Sequence, residues 1–141
     1  MAFAFLAAAP AWASLDAAKA EPNLEKRSGL ALDNAERALK SAQDAYAAQN
    51  DMKQVVASLE EVSASVEFAY DSLQQTHKVP SKSPKYFKRA EIQTRELLRR
   101  IDDFRAQMSV DERETIDKVR ATVQKVHESL LEGIMSGKKK G

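Results

Sequence analysis

Residues 78–84 read KVPSKSP, the clearest break in a chain whose apolar residues otherwise recur with a helical period. Pro80 and Pro84 both oppose a continuing helix, because each removes a backbone donor and restricts the residue before it. Downstream, Ser83-Pro84 reads as N-cap and first helical residue. The helix they open spans 84–108 and turns Phe87, Ala90, Thr94, Leu97, Leu98, Ile101, Phe104 and Met108 inward. Ser109-Val110-Asp111-Glu112 then has the form of a capping box. In that motif Ser109 accepts from the third helical amide and Glu112 reaches back to the N-cap amide. The helix so capped runs over 110–135, with Ile116, Val119, Val123, Val126, Leu130 and Ile134 inward.

Upstream of the break, residues 51–77 carry a stripe of Val55, Val56, Leu59, Val62, Val66, Ala69, Tyr70 and Leu73, with Asn50 or Asp51 as its N-cap. Residues 23–48 carry a seam of Leu24, Ser28, Ala31, Ala35, Ala38, Ala42 and Ala45 in steps of three and four. Small residues along such a seam let a partner helix come close. The short Gln49-Asn50 link predicts an antiparallel hairpin, but no Gly or Pro enforces the turn, so one helix over 23–77 is the alternative. Four helices of roughly 25 residues, each about 37 Å long, predict an all-α fold: an antiparallel four-helix bundle or two packed long helical hairpins. The expected domain covers 21–136, followed by a basic tail at 137–141.

Composition agrees. In 141 residues there are four Gly and four Pro, too few for the turns of an all-β protein. The absence of Cys removes disulfides and thiolate chemistry, and two His leave little for a metal site. No cofactor and no metal are expected.

Residues 1–13, MAFAFLAAAPAWA, are uncharged and end in Ala11-Trp12-Ala13. This is the pattern of an export signal's apolar core and its small-x-small cleavage site, although no Lys or Arg precedes the run. It is shorter than the roughly 20 residues of a spanning helix. A second small-x-small site is Ala18-Lys19-Ala20, so residues 1–20 are expected to hold a signal and short leader cut near 13 or 20. The expected location is periplasmic or secreted. The alternative is an apolar N-terminal helix packed on a cytoplasmic domain.

Charge divides between the halves: residues 1–77 hold 6 basic and 11 acidic side chains, residues 78–141 hold 16 and 10. The two hairpins can therefore attract one another, or the basic half can face an anionic partner. The most singular segment is 78–89, KVPSKSPKYFKR, with five basic residues and no acid. Lys82, Lys85, Lys88 and Arg89 surround a helix N-terminus whose free amides favour an anion, and Tyr86 can stack on a ring or lie at a membrane surface. The competing reading is a solvated basic loop with Phe87 anchoring the helix in the core. A net charge of +1 argues against a dedicated nucleic-acid binder.

Nucleophilic catalysis has no candidate, since there is no Gly-flanked serine elbow and no phosphate-cradling glycine loop. Gln74-x-x-His77 and Gln124-x-x-His127 imitate the Glu-x-x-His of di-iron bundles, but a neutral amide is a poor ligand for a hard cation. Glu60-Glu61 and Asp102-Asp103 are neighbours on helices and point in different directions.

EPNLEKRSGLALDNA (21–35) and SPKYFKRAEIQTRELLRRIDDF (83–104) resemble a group of uncharacterised exported all-helical bacterial proteins. The resemblance implies a helical fold and export, and it carries no function over. The expected function is a non-enzymatic interaction or structural module of the bacterial envelope with a protein partner there. The alternative is a binder of anionic small molecules or lipid head groups through 78–89.

Overall fold

The computed structural model describes residues 14–49 and 51–136, and among them every regular element is helical. A five-residue helix, α1 (Asp16–Ala20), precedes four long ones: α2 (Leu24–Ala47), α3 (Met52–Gln74), α4 (Pro84–Gln107) and α5 (Glu114–Ser136). The protein is an all-α helical bundle. The apolar run at 1–13 and the basic tail at 137–141 lie outside the described residues, as does Asn50.

Asn23 caps α2 by accepting from the Lys26 amide at 2.8 Å, and Asp51 caps α3 by accepting from the Lys53 amide at 3.0 Å. Between them the chain reverses. Gln49 stands in the left-handed region with φ 58°, the conformation that commonly ends a helix, here without the usual glycine. The continuous helix over 23–77 is therefore excluded. His77 does the same beyond α3 with φ 56°, so α3 stops at Gln74 rather than at 77.

α2 and α3 pack most extensively, followed by α4 and α5. The hairpins meet through α3 against α5 and α2 against α4, with little contact across the α3–α4 diagonal. Chain reversal makes each hairpin antiparallel inside, while the pairs between hairpins run parallel. The bonds from Gln93 of α4 to Asp33 and Glu36 of α2 fit that register. Residues 75–83 cross the end of the bundle from α3 to its diagonal neighbour α4. Pro80 in this crossing lies against α5 at Gly133, where a Cβ would meet Pro80 Cγ at 3.1 Å.

The alanine seam is buried as expected at Ser28, Ala31, Ala35, Ala38, Ala42 and Ala45, although Leu24 is only half-buried. Facing it, α3 buries Val55, Leu59, Val62, Val66, Ala69 and Leu73, while Val56 and Tyr70 stand half out. Three serines seven residues apart, Ser58, Ser65 and Ser72, are buried as well. All eight inward positions of α4 and its C-terminus, Phe87 to Met108, are buried.

Two expected caps differ. Ser83 precedes Pro84 at the start of α4, but its hydroxyl makes no capping bond. The capping box does not form either. Val110–Glu112 is a single 3-10 turn and α5 begins at Glu114 rather than 110. The reason is tertiary: the Tyr46 hydroxyl, from the end of α2, accepts from the Ser109 amide at 3.0 Å and donates to Glu112 Oε1 at 2.9 Å. One phenol satisfies the donor that Glu112 was expected to cap, and it occupies Glu112 in doing so. The Tyr46 ring meets Phe104 edge-on at 5.7 Å between centroids.

Candidate functional site

The segment 78–89 forms the crossing and the first turns of α4, at the bundle end shared with the start of α2 and the end of α5. Lys78, itself exposed, pairs with Glu25 of α2 at 2.8 Å. That bond realises the attraction between the acidic and basic halves, and among the described residues it is the one ion pair that joins them. The other pairs lie within one half.

Lys82, Lys85, Lys88 and Arg89 are exposed, and no carboxylate of the described residues stands within ion-pair distance of them. Lys85 places its ammonium 5.2 Å from the centroid of the Tyr86 ring, so the ring's π face is already engaged by a cation. Tyr86 and Arg89 line an open groove of about 350 Å³ against α2, opposite Glu25 and Asp33. Lys82, Lys85 and Lys88 lie outside it. The five candidate residues thus form a rim rather than one pocket. Three lysines front the solvent, while Tyr86 and Arg89 border a groove of mixed charge. Val79, in the same turn as Lys82, is 50 % exposed, and Leu131 and Met135 are exposed near the end of α5. Phe87 is buried and fixes α4 in the core, as the loop reading required.

A second polar cluster was not anticipated. Glu91 of α4 is 7 % exposed and receives Arg95 Nε at 3.0 Å and Nη2 at 3.1 Å. His127 of α5 brings Nε2 to 2.9 Å of Glu91 Oε2. An ionised carboxylate only accepts, so the imidazole must carry its proton on Nε2. The hydrogen-bonded Arg95 guanidinium holds the Glu91 carboxyl below the usual carboxylate range; burial opposes this, and His127 supports it. Position 91 falls between inward positions of α4, and only the His four turns along α5 marked its partner. His77, by contrast, is exposed at the α3 terminus, far along the chain from this cluster.

Asn34 of α2, 1 % exposed, is a third such point. Its amide donates to Glu61 Oε2 at 2.8 Å and to Ser65 Oγ at 2.9 Å, both on α3, and its oxygen accepts from the Ser14 amide at 2.7 Å. The paired acids of the sequence are thereby separated in role. Glu61 belongs to the Asn34 network, Asp102 pairs with Arg120, and Asp103 pairs with Arg99.

Among the described residues, no group of three or more His, Cys, Asp or Glu stands close enough to hold a metal ion. No helix of the described residues is long and apolar enough to cross a membrane. The chain matches no protein-family model and shows no significant similarity to a curated protein or to a solved structure.

Proposed function

We propose that the chain is a non-enzymatic helical docking module of the bacterial envelope that meets an anionic partner with the turn and helix start at 78–89. One observation carries this reading: Lys82, Lys85, Lys88 and Arg89 are exposed together without a carboxylate of the described residues to neutralise them. Their charges add to the positive end of α4, and such a concentration is unfavourable by itself and favourable beside an anion. The exposed Val79 adds an apolar contact of the kind an anionic lipid surface accepts. The apolar run at 1–13 with its small-x-small ending supports placement in the envelope.

The test changes Lys82, Lys85 and Lys88 together to Gln and follows the melting temperature and retention on vesicles containing anionic lipid. Retention of the wild type is expected at low ionic strength and to weaken with added salt, because exposed charges are screened. The triple variant is expected to lose retention while its melt holds or rises. A wild type that passes anionic vesicles unretained at low salt removes the docking reading, and a variant that melts lower with retention unchanged makes the lysines structural.

A further inference from the structure

We infer that the chain is cut between Ala13 and Ser14 and that Asn34 receives the amino group so released. The inference rests on the export reading above and decides between its two cleavage sites.

The two cuts differ in what they would take from the bundle. A cut after Ala20 would fall at the end of α1, whose central Ala18 is 1 % exposed and part of the hydrophobic core. The same cut would discard Leu15, packed against the core, and Ser14, whose amide is the close donor to Asn34 Oδ1. The buried oxygen would then keep only Arg37 Nη2, at 3.4 Å. A cut after Ala13 spares all of this. Ser14 is exposed and precedes α1, so this cut leaves every described helix whole.

The chemistry favours the contact once the bond is cut. The peptidase adds water across the Ala13–Ser14 amide. The C–N bond breaks, Ala13 leaves with the leader as a carboxylate, and the Ser14 nitrogen becomes an amine that is mostly protonated at neutral pH, with a pKa of about 8. The single amide donor 2.7 Å from Asn34 Oδ1 becomes an ammonium, whose hydrogen bonds are charge-assisted. The carboxylate of Glu61 accepts from the other end of the same amide, Asn34 Nδ2, at 2.8 Å, and so holds Oδ1 turned toward Ser14. Asn34 thus joins the new terminus to α2 and, through Glu61 and Ser65, to α3.

The test expresses the full chain in a Gram-negative bacterium, fractionates the cells and reads the N-terminus by intact mass. An envelope product beginning at Ser14, and so lacking Trp12, is expected. An envelope product beginning at Glu21 overturns the assignment and leaves export standing. Uncut chain confined to the cytoplasm overturns export, and the assignment with it. For the receptor, the Ser14 amine of the processed protein is labelled with an amine-reactive ester beside a free peptide of residues 14–20. Several-fold slower labelling in the protein is expected, and equal rates would show that Asn34 does not hold it. In the same host, Asn34→Ala is expected to yield ragged termini trimmed past Ser14, while a uniform Ser14 start would deny Asn34 the role.

Discussion

The two hairpins solve the same packing problem with different materials. The first hairpin buries many small side chains, Ser28, Ala31, Ala35, Ala38, Ala42 and Ala45 on α2 and Ser58, Ser65 and Ser72 among larger residues on α3. The second hairpin buries larger ones, Phe87, Leu97, Ile101 and Phe104 on α4 and Ile116, Val119, Val123 and Leu130 on α5, with Phe104 also meeting Tyr46 of α2. Its two helices are joined by the ion pairs Arg105–Asp117 and Arg120–Asp102 and by the Glu91–His127 contact. Among the described residues no ion pair joins α2 to α3. A seam of small residues takes its stability from close approach of the helices, so added volume harms it most. A seam of large residues takes its stability from buried area, so lost volume harms it most.

The largest effect expected from this contrast is at Phe104, which is fully buried and in edge contact with Tyr46. Phe104→Ala should cost about 3–5 kcal/mol in urea unfolding through lost burial and the cavity left behind. A cost under about 1 kcal/mol would mean that the second hairpin closes up as readily as an alanine seam and would break the comparison. The next effect is the converse. Ala38→Leu should cost about 1–3 kcal/mol by overpacking the α2–α3 contact. An unchanged urea midpoint would show that the small seam has room to spare.

The smallest expected effect sharpens the electrostatic half of the contrast. Arg95 lowers the folded pKa of Glu91, so Glu91 contributes stability that is fully present above the unfolded carboxyl pKa, about 4.3. That contribution is lost as the pH falls through the lower folded value. Glu91→Gln should cost about 1 kcal/mol at neutral pH through the lost charge-assisted bonds. Its melting temperature should then fall less than that of the wild type on acidification below about pH 4. Parallel pH profiles for the two proteins would remove Glu91 from the account of the second hairpin.

Features repeated at every helical turn were legible in the sequence. The alanine steps of α2 and the inward positions of α4 follow from period alone, and both are buried as read. The Pro80–Pro84 break was equally plain, because proline acts on its own backbone. What escaped depends on one atom supplied from far along the chain. Ser109 and Glu112 have the spacing of a capping box, yet a hydroxyl 63 residues before Ser109 takes that role. Glu91 looked like any surface glutamate until α5 brought His127 beside it, 36 residues on. The turn at Gln49 was half legible. A short polar link suggested reversal, but a left-handed glutamine has no signature in composition. Of the basic segment, exposure of the lysines and anchoring by Phe87 were readable, while the removal of Lys78 by Glu25 required the two halves to be docked.

The diagonal crossing at 75–83 carries a consequence for the order in which the molecule assembles. Within each hairpin the partners are near in sequence, so loop closure is inexpensive and each pair can zip from its turn. The parallel contacts of α2 with α4 and α3 with α5 join distant parts of the chain; Gln93 reaches Asp33 and Glu36 across 60 and 57 positions. They cannot form until the crossing has swung the second hairpin into place. In the docked arrangement Gly133 leaves room for Pro80. The bundle is therefore expected to fold as two fast local units followed by one docking step. Substitutions at the Pro80–Gly133 contact would then act mainly on the rate of unfolding, and those within a hairpin on the rate of folding.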